Sequence, residues 1–165
     1  MIVNTTNDNN MINEDVSPKG KVTIIVRNNS GDITQQIEST NMVVTAGKNW
    51  IAQRFTASGV AANAQMTHMG IGTGNVDPAL TDTNITQVGT KVTFTPAEAE
   101  VSGGVVTYTA TFPANNPATQ QTITEAGIFN SGTINVGTML CRTKFAAVTK
   151  AAADSMTIIW AITVA

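Results

Sequence analysis

A single cysteine, a single histidine and a single tyrosine stand in a chain of 165 residues. One cysteine cannot close an internal disulfide, so the fold is not held covalently, and the thiol count gives only a lean toward a protein made in reducing cytosol. One histidine makes any imidazole metal site dependent on cysteine or carboxylate partners, and none stands near His68 at a recognisable spacing. Charge is scarce as well. Only 12% of residues are charged, against about 25% in ordinary soluble proteins, and Lys and Arg are scattered as single residues in a net charge of −2. That distribution lacks the electrostatic footprint of a nucleic-acid or anionic-membrane partner. Long apolar runs are missing too: no stretch approaches the roughly 20 residues needed to cross a bilayer as a helix. The opening MIVNTTNDNNMINEDV has neither a basic nor an apolar leader segment. The expectation is a soluble product without a secretory signal. The Asn-x-Ser/Thr sequons at Asn4, Asn28 and Asn84 then count as chance in a chain rich in both residue types.

What is present is threonine and asparagine, together roughly a quarter of the chain. Threonine is β-branched and suits pleated sheet, while asparagine suits turns, so the composition points to an all-β protein with a neutral, hydroxyl-rich surface. A chain of this size can bury roughly 70% of its unfolded surface in one core without disulfides or metals. Residues 1–20 are polar and asparagine-rich, without period, and close at Ser17-Pro18-Lys19-Gly20. They read as an extended N-terminal arm before a β domain of residues 21–165. Ile2, Val3, Met11 and Ile12 punctuate this polar tract and are candidate subunit contacts.

Along the domain, strand-like alternation begins at Lys21 to Asn29, with Val22, Ile24 and Val26 on one face, and turns through Asn28-Asn29-Ser30-Gly31-Asp32 into Ile33 to Glu38. Thr45 stands as a helix N-cap before AGKNWIAQRF, where Trp50, Ile51, Arg54 and Phe55 recur at helical spacing. This is the one short helix expected, with its aromatic pair plugging an open end of the β core. Met66 to Gly72 is a further strand, followed by a turn-rich stretch from Thr73 to Val88. Lys91 to Pro96 and Val105 to Pro113 read as a hairpin around Ser102-Gly103-Gly104. Strands at Ile123 to Asn130, Thr138 to Phe145 and Met156 to Val164 complete about eight, spaced for an antiparallel β-sandwich or a jelly-roll-like barrel. In the last of them Met156, Ile158, Trp160, Ile162 and Val164 share a face, as only a strand paired inside a sheet can afford at a chain end. The expected structural core is Trp50, Phe55, Tyr108, Phe112, Phe129 and Trp160.

Chemistry-bearing patterns are few. Gly70, Gly72 and Gly74 invite a phosphate-loop reading, but Asn75 replaces the third fingerprint glycine, Asp77-Pro78 stands where a helix should open, and no Gly-Lys-Ser/Thr follows. A bend from strand to loop is the better account. Cys141 suits the inward face of a strand, and pairing it with His68 as a nucleophile would require a base to form thiolate. Glu98 and Glu100 share a strand face, which is also how a solvated face looks, and no aromatic platform stands beside them for a glycan. Glu125, within TEAGIFN, fits a partly buried clasp to backbone or to an arginine such as Arg142. No catalytic residue, metal or cofactor is expected.

Taken in order, TNMVVTAGKNWIAQRF, THMGIGTGNVDPALTDTNI, VTYTATFP, TITEAGIFNSGT, GTMLCRTKF and KAAADSMTIIWAITV resemble a module of tailed-bacteriophage virion proteins, over about residues 40–165. The resemblance implies a small β-sandwich of the capsid decoration, or cement, type on the particle head. Made in the host cytoplasm, it would clamp the major capsid protein as a dimer or trimer. A tail-fibre or baseplate module that binds host glycan is the alternative, and the aromatic content of 5% disfavours it. A depolymerase would need the acid pair set aside above.

Overall fold

The computed structural model describes residues 18–55, 65–94 and 99–163. Ile2, Val3, Met11, Ile12, Glu98 and Val164 lie outside the described residues, as do the side chains of Phe55 and Glu100. Ten strands are present among the described residues: β1 (Lys19–Arg27), β2 (Ile33–Thr40), β3 (Met42–Val43), β4 (His68–Gly72), β5 (Gln87–Thr93), β6 (Ala99–Ser102), β7 (Val105–Phe112), β8 (Gln121–Phe129), β9 (Met139–Lys150) and β10 (Ser155–Thr163). They form two five-stranded antiparallel sheets, β2-β1-β10-β7-β6 and β3-β9-β8-β4-β5, packed face to face as a β-sandwich. The first strand starts at Lys19, two positions inside the expected arm.

Alternation along the strands makes the core. In β10, Met156, Ile158, Trp160 and Ile162 are buried and meet buried partners on both neighbours. Trp160 stands opposite Val22 of β1 and Tyr108 of β7, and Met156 opposite Phe112. The last described strand is therefore the middle of its sheet. From the second sheet Met69, Ile71, Ile123, Ile128 and Cys141 face it. Trp50 and Ile51 of helix α1 (Thr45–Ala52) are half-buried against this same core; of the aromatic pair expected as a plug, only the Trp50 side chain is described.

Two expectations are corrected. Lys91 to Pro96 does not form a hairpin with Val105 to Pro113: β6 pairs with β7, while β5 lies in the other sheet beside β4. Gly103 and Gly104 both hold positive φ, 57° and 78°, which is the requirement of a two-residue hairpin turn, so the strand immediately before them must be the partner. Phe94 instead leaves β5 and tilts against Tyr108, their centroids 4.8 Å apart. Thr45 is not the N-cap but the first helical residue, behind Val44, with no side-chain cap. Its N–H donates to the Leu80 carbonyl at 2.8 Å, so a loop supplies what a capping hydroxyl would. Phe129 is buried, but on the opposite face of its sheet from the main core, in a separate cluster with Val44, Ile85 and Met139.

One side of the sandwich is closed by side chains. The Gln35 amide donates to the Thr149 carbonyl at 2.7 Å and accepts its N–H at 3.0 Å, as a neighbouring strand would. The Ser39 hydroxyl donates to the Lys144 carbonyl at 2.8 Å, so the edge of β9 is covered by β2 of the other sheet.

Candidate functional site

The outer face of the second sheet carries a third layer made of loops, and the polar chemistry of the molecule is concentrated there. Gly70 and Gly127 stand opposite each other on β4 and β8. A Cβ on Gly127 would come within 2.9 Å of the Phe129 ring, and one on Gly70 within 3.1 Å of Ile85. The paired glycines thus leave a trough in which Phe129 and Ile85 lie.

Next to that trough Glu125 is fully buried. Its Oε1 accepts the N–H groups of Gly74 at 2.8 Å and Thr86 at 2.7 Å. Its Oε2 accepts Arg142 Nε and Nη2, each at 2.8 Å. The guanidinium reaches two further loop positions, Asp82 Oδ2 at 2.6 Å and the Val76 carbonyl at 2.9 Å. Burial opposes the charge on Arg142, yet Asp82 and Glu125 outweigh it and raise its pKa above the ordinary value. Burial likewise works against the Asp82 carboxylate, and the Ala79 N–H and Arg142 more than offset it, so its pKa is lowered. The expected clasp between Glu125 and Arg142 is present. It also explains the glycine motif: the backbone at Gly74 does face an anion, and that anion is the internal carboxylate.

A second cation organises the neighbouring loop. Lys91 Nζ sits 3.8 Å over the centre of the Phe129 ring. It donates to three carbonyls of one loop, Ser131 at 3.3 Å, Thr133 at 2.9 Å and Val136 at 3.3 Å. Burial lowers its pKa. The two loops are joined where Asn84 Nδ2 donates to Asn135 Oδ1 at 2.6 Å. Sequence reasoning did not identify Lys91 or Asp82. The one signal for Lys91 was its place at an alternating position of a Val- and Thr-rich run, where a charge needs a buried partner.

These ordered loops hold aliphatic side chains out to solvent. Val76 is 75% exposed, Leu80 48%, Ile134 50% and Val136 52%. No aromatic residue is among the exposed large apolar side chains of the described residues.

Of the other candidates, His68 borders this layer with its ring against Gly132, and Cys141 faces the core. His68 is half-buried, with Nδ1 bonded to the Thr67 hydroxyl at 2.8 Å and Nε2 to the Thr93 hydroxyl at 3.0 Å, so both ring nitrogens are engaged by threonines rather than by Cys141. Burial first, and then the Lys91 charge, lower its pKa. Cys141 is fully buried and its thiol is pushed well up by burial, which disfavours the thiolate a nucleophile needs. Among the described residues no three His, Cys, Asp or Glu side chains converge as metal ligands. No helix among them is long and apolar enough to cross a membrane. Comparison with protein-family models, curated proteins and solved structures gives no match to this chain.

Proposed function

We propose that this chain is a bacteriophage capsid decoration protein that sits on the outer head lattice and cements neighbouring major capsid subunits, as a dimer or trimer. It works by binding, with no catalytic step. The observation that carries this reading is the loop layer on the second sheet, where exposed Val76, Leu80, Ile134 and Val136 stand on loops tied down by two buried cations, Arg142 and Lys91. Loops already ordered lose little freedom on docking, so the apolar contact they make is retained as affinity. Many modest contacts of this kind add across a lattice through avidity. Glycan adsorption would favour exposed aromatic rings, and the exposed apolar side chains here are aliphatic. The arm that carries Ile2, Val3, Met11 and Ile12 is the second element of this reading, in contact with a neighbour through part of its length.

The test is co-sedimentation with capsids stripped of the protein. Val76→Asp with Ile134→Asp should weaken binding at least tenfold while the circular dichroism spectrum stays unchanged, since burying one such aliphatic is worth about 1.5 kcal/mol or more. Deleting residues 2–18 should also weaken attachment. Full occupancy by the folded double variant would refute the loop layer as the docking face.

A further inference from the structure

A groove of about 650 Å³ lies on the closed side of the sandwich, beside the loop positions Asn75, Asp77 and Pro78, and its origin is a bulge. Lys144 stands opposite Glu125 and Val148 opposite Ile123, so Phe145, Ala146 and Ala147 face Thr124 alone, and β9 bows outward. The groove has an apolar lining of Met42, Phe145, Ala146 and Ala147. Its rim carboxylates are already neutralised, Asp77 by Lys144 and Glu38 by Lys21, both at 2.9 Å. Such a site favours an uncharged ligand with aliphatic side chains and amide groups over an ion. Its volume is that of a pocket that buries a drug-sized ligand, which corresponds to a few residues of chain.

We propose that this groove seats the chain's own segment Asn9-Asn10-Met11-Ile12-Asn13. Seventeen residues precede Pro18, and the chain enters the fold at the groove wall. Lys21 is paired with Thr40, and Gly20 lies so close to the Asn41 side chain that a Cβ would not fit, while Thr40 and Asn41 both line the groove. The six residue steps from Ile12 to Pro18 span up to about 20 Å. So short a tether gives an effective concentration on the order of millimolar, ahead of any free competitor of equal affinity. The segment fits the lining: Met11 and Ile12 supply aliphatic groups, the asparagines supply amides for the rim, and no charge falls between Asp8 and Glu14. Seating Met11 and Ile12 at home leaves Ile2 and Val3 as the part of the arm that reaches a neighbour.

The test uses the full chain free in solution, so its outcome is separate from that of capsid binding. Ile12→Cys combined with Ala147→Cys should form a disulfide within one molecule under mild oxidation. It should form at least tenfold faster than in the control Ile12→Cys with Thr111→Cys, which places the second thiol on the outer face of the other sheet. Cys141 is fully buried and does not compete. Spin-labelled Ile12→Cys, with Ala147 left native, should broaden the amide resonances of Ala146 and Ala147 selectively in dilute protein. A rate no faster than the control with no selective broadening overturns the proposal. Linkage only between two molecules, with broadening that vanishes on dilution, overturns it in favour of a neighbour's segment.

Discussion

Removing the Glu125 carboxylate is the most informative single perturbation, because four bonds converge on it from three parts of the chain. In Glu125→Ala the N–H groups of Gly74 and Thr86 lose their acceptor, and the Arg142 guanidinium keeps only Asp82 and the Val76 carbonyl. Breaking a buried ion pair from one side costs about 3–5 kcal/mol, and the two stranded amides place this case in the upper half of that range. Glu125→Gln retains an oxygen for the two amides and loses only the charge facing Arg142, so it should cost less than the alanine variant. Glu125→Leu with Arg142→Met removes both charges and leaves the two amides as the main deficit, for a cost of about 2 kcal/mol. Urea unfolding followed by the fluorescence of Trp50 and Trp160 measures all three, and the denaturant slope should be unchanged. The alanine variant should also lower the melting temperature by roughly 8–20 °C, at about 2–4 °C per kcal/mol for a chain of this size. A loss below about 1 kcal/mol in Glu125→Ala, or a double variant worse than the single, would show that the clasp does not hold the loops down.

Two further outcomes follow from the core and from the histidine. Trp160→Ala should cost about 3–5 kcal/mol through the cavity it leaves between Val22 and Tyr108. Trp160→Phe should cost clearly less, because the indole Nε1 has no acceptor among the described residues and its removal strands nothing; equal losses in the two variants would sink that account. His68 has a folded pKa below its ordinary 6.5, so below that pH the unfolded chain takes up a proton that the fold resists. Stability should therefore fall as pH drops from 6.5 toward 5, before the carboxylates titrate, and His68→Gln should flatten that slope. A slope identical in the two proteins would assign the titration elsewhere.

Much of the sandwich was legible because a strand alternates its side chains with a period of two. Val22, Ile24 and Val26, then Tyr108, Ala110 and Phe112, then Met156 through Ile162, all read correctly as inward rows. Glu125 was legible for a different reason: a carboxylate in a strand-like run has to find a cation or backbone donors, and Arg142 was a plausible partner nearby in sequence. The hairpin before β7 was misread because a long turn signal can be entered from either of two preceding runs. Only the positive φ of both glycines, beside the four residues of β6, decides between them.

By itself the sequence determined the all-β class, the short helix after Val44 and the central role of the last described strand. All of these follow from local composition and period. Tertiary structure alone decided which sheet face a loop would cover, because that depends on contacts between residues far apart in the chain. Phe129 obeys the same alternation as its neighbours, yet it lies in the outer cluster, where the glycines at 70 and 127 open a trough for it. Lys91 becomes a loop anchor only because the carbonyls of Ser131, Thr133 and Val136 are brought around its ammonium some forty residues later. A burial pattern one residue long has no memory of its distant partners. Three-dimensional closure is what turns scattered cations into the scaffold of a surface.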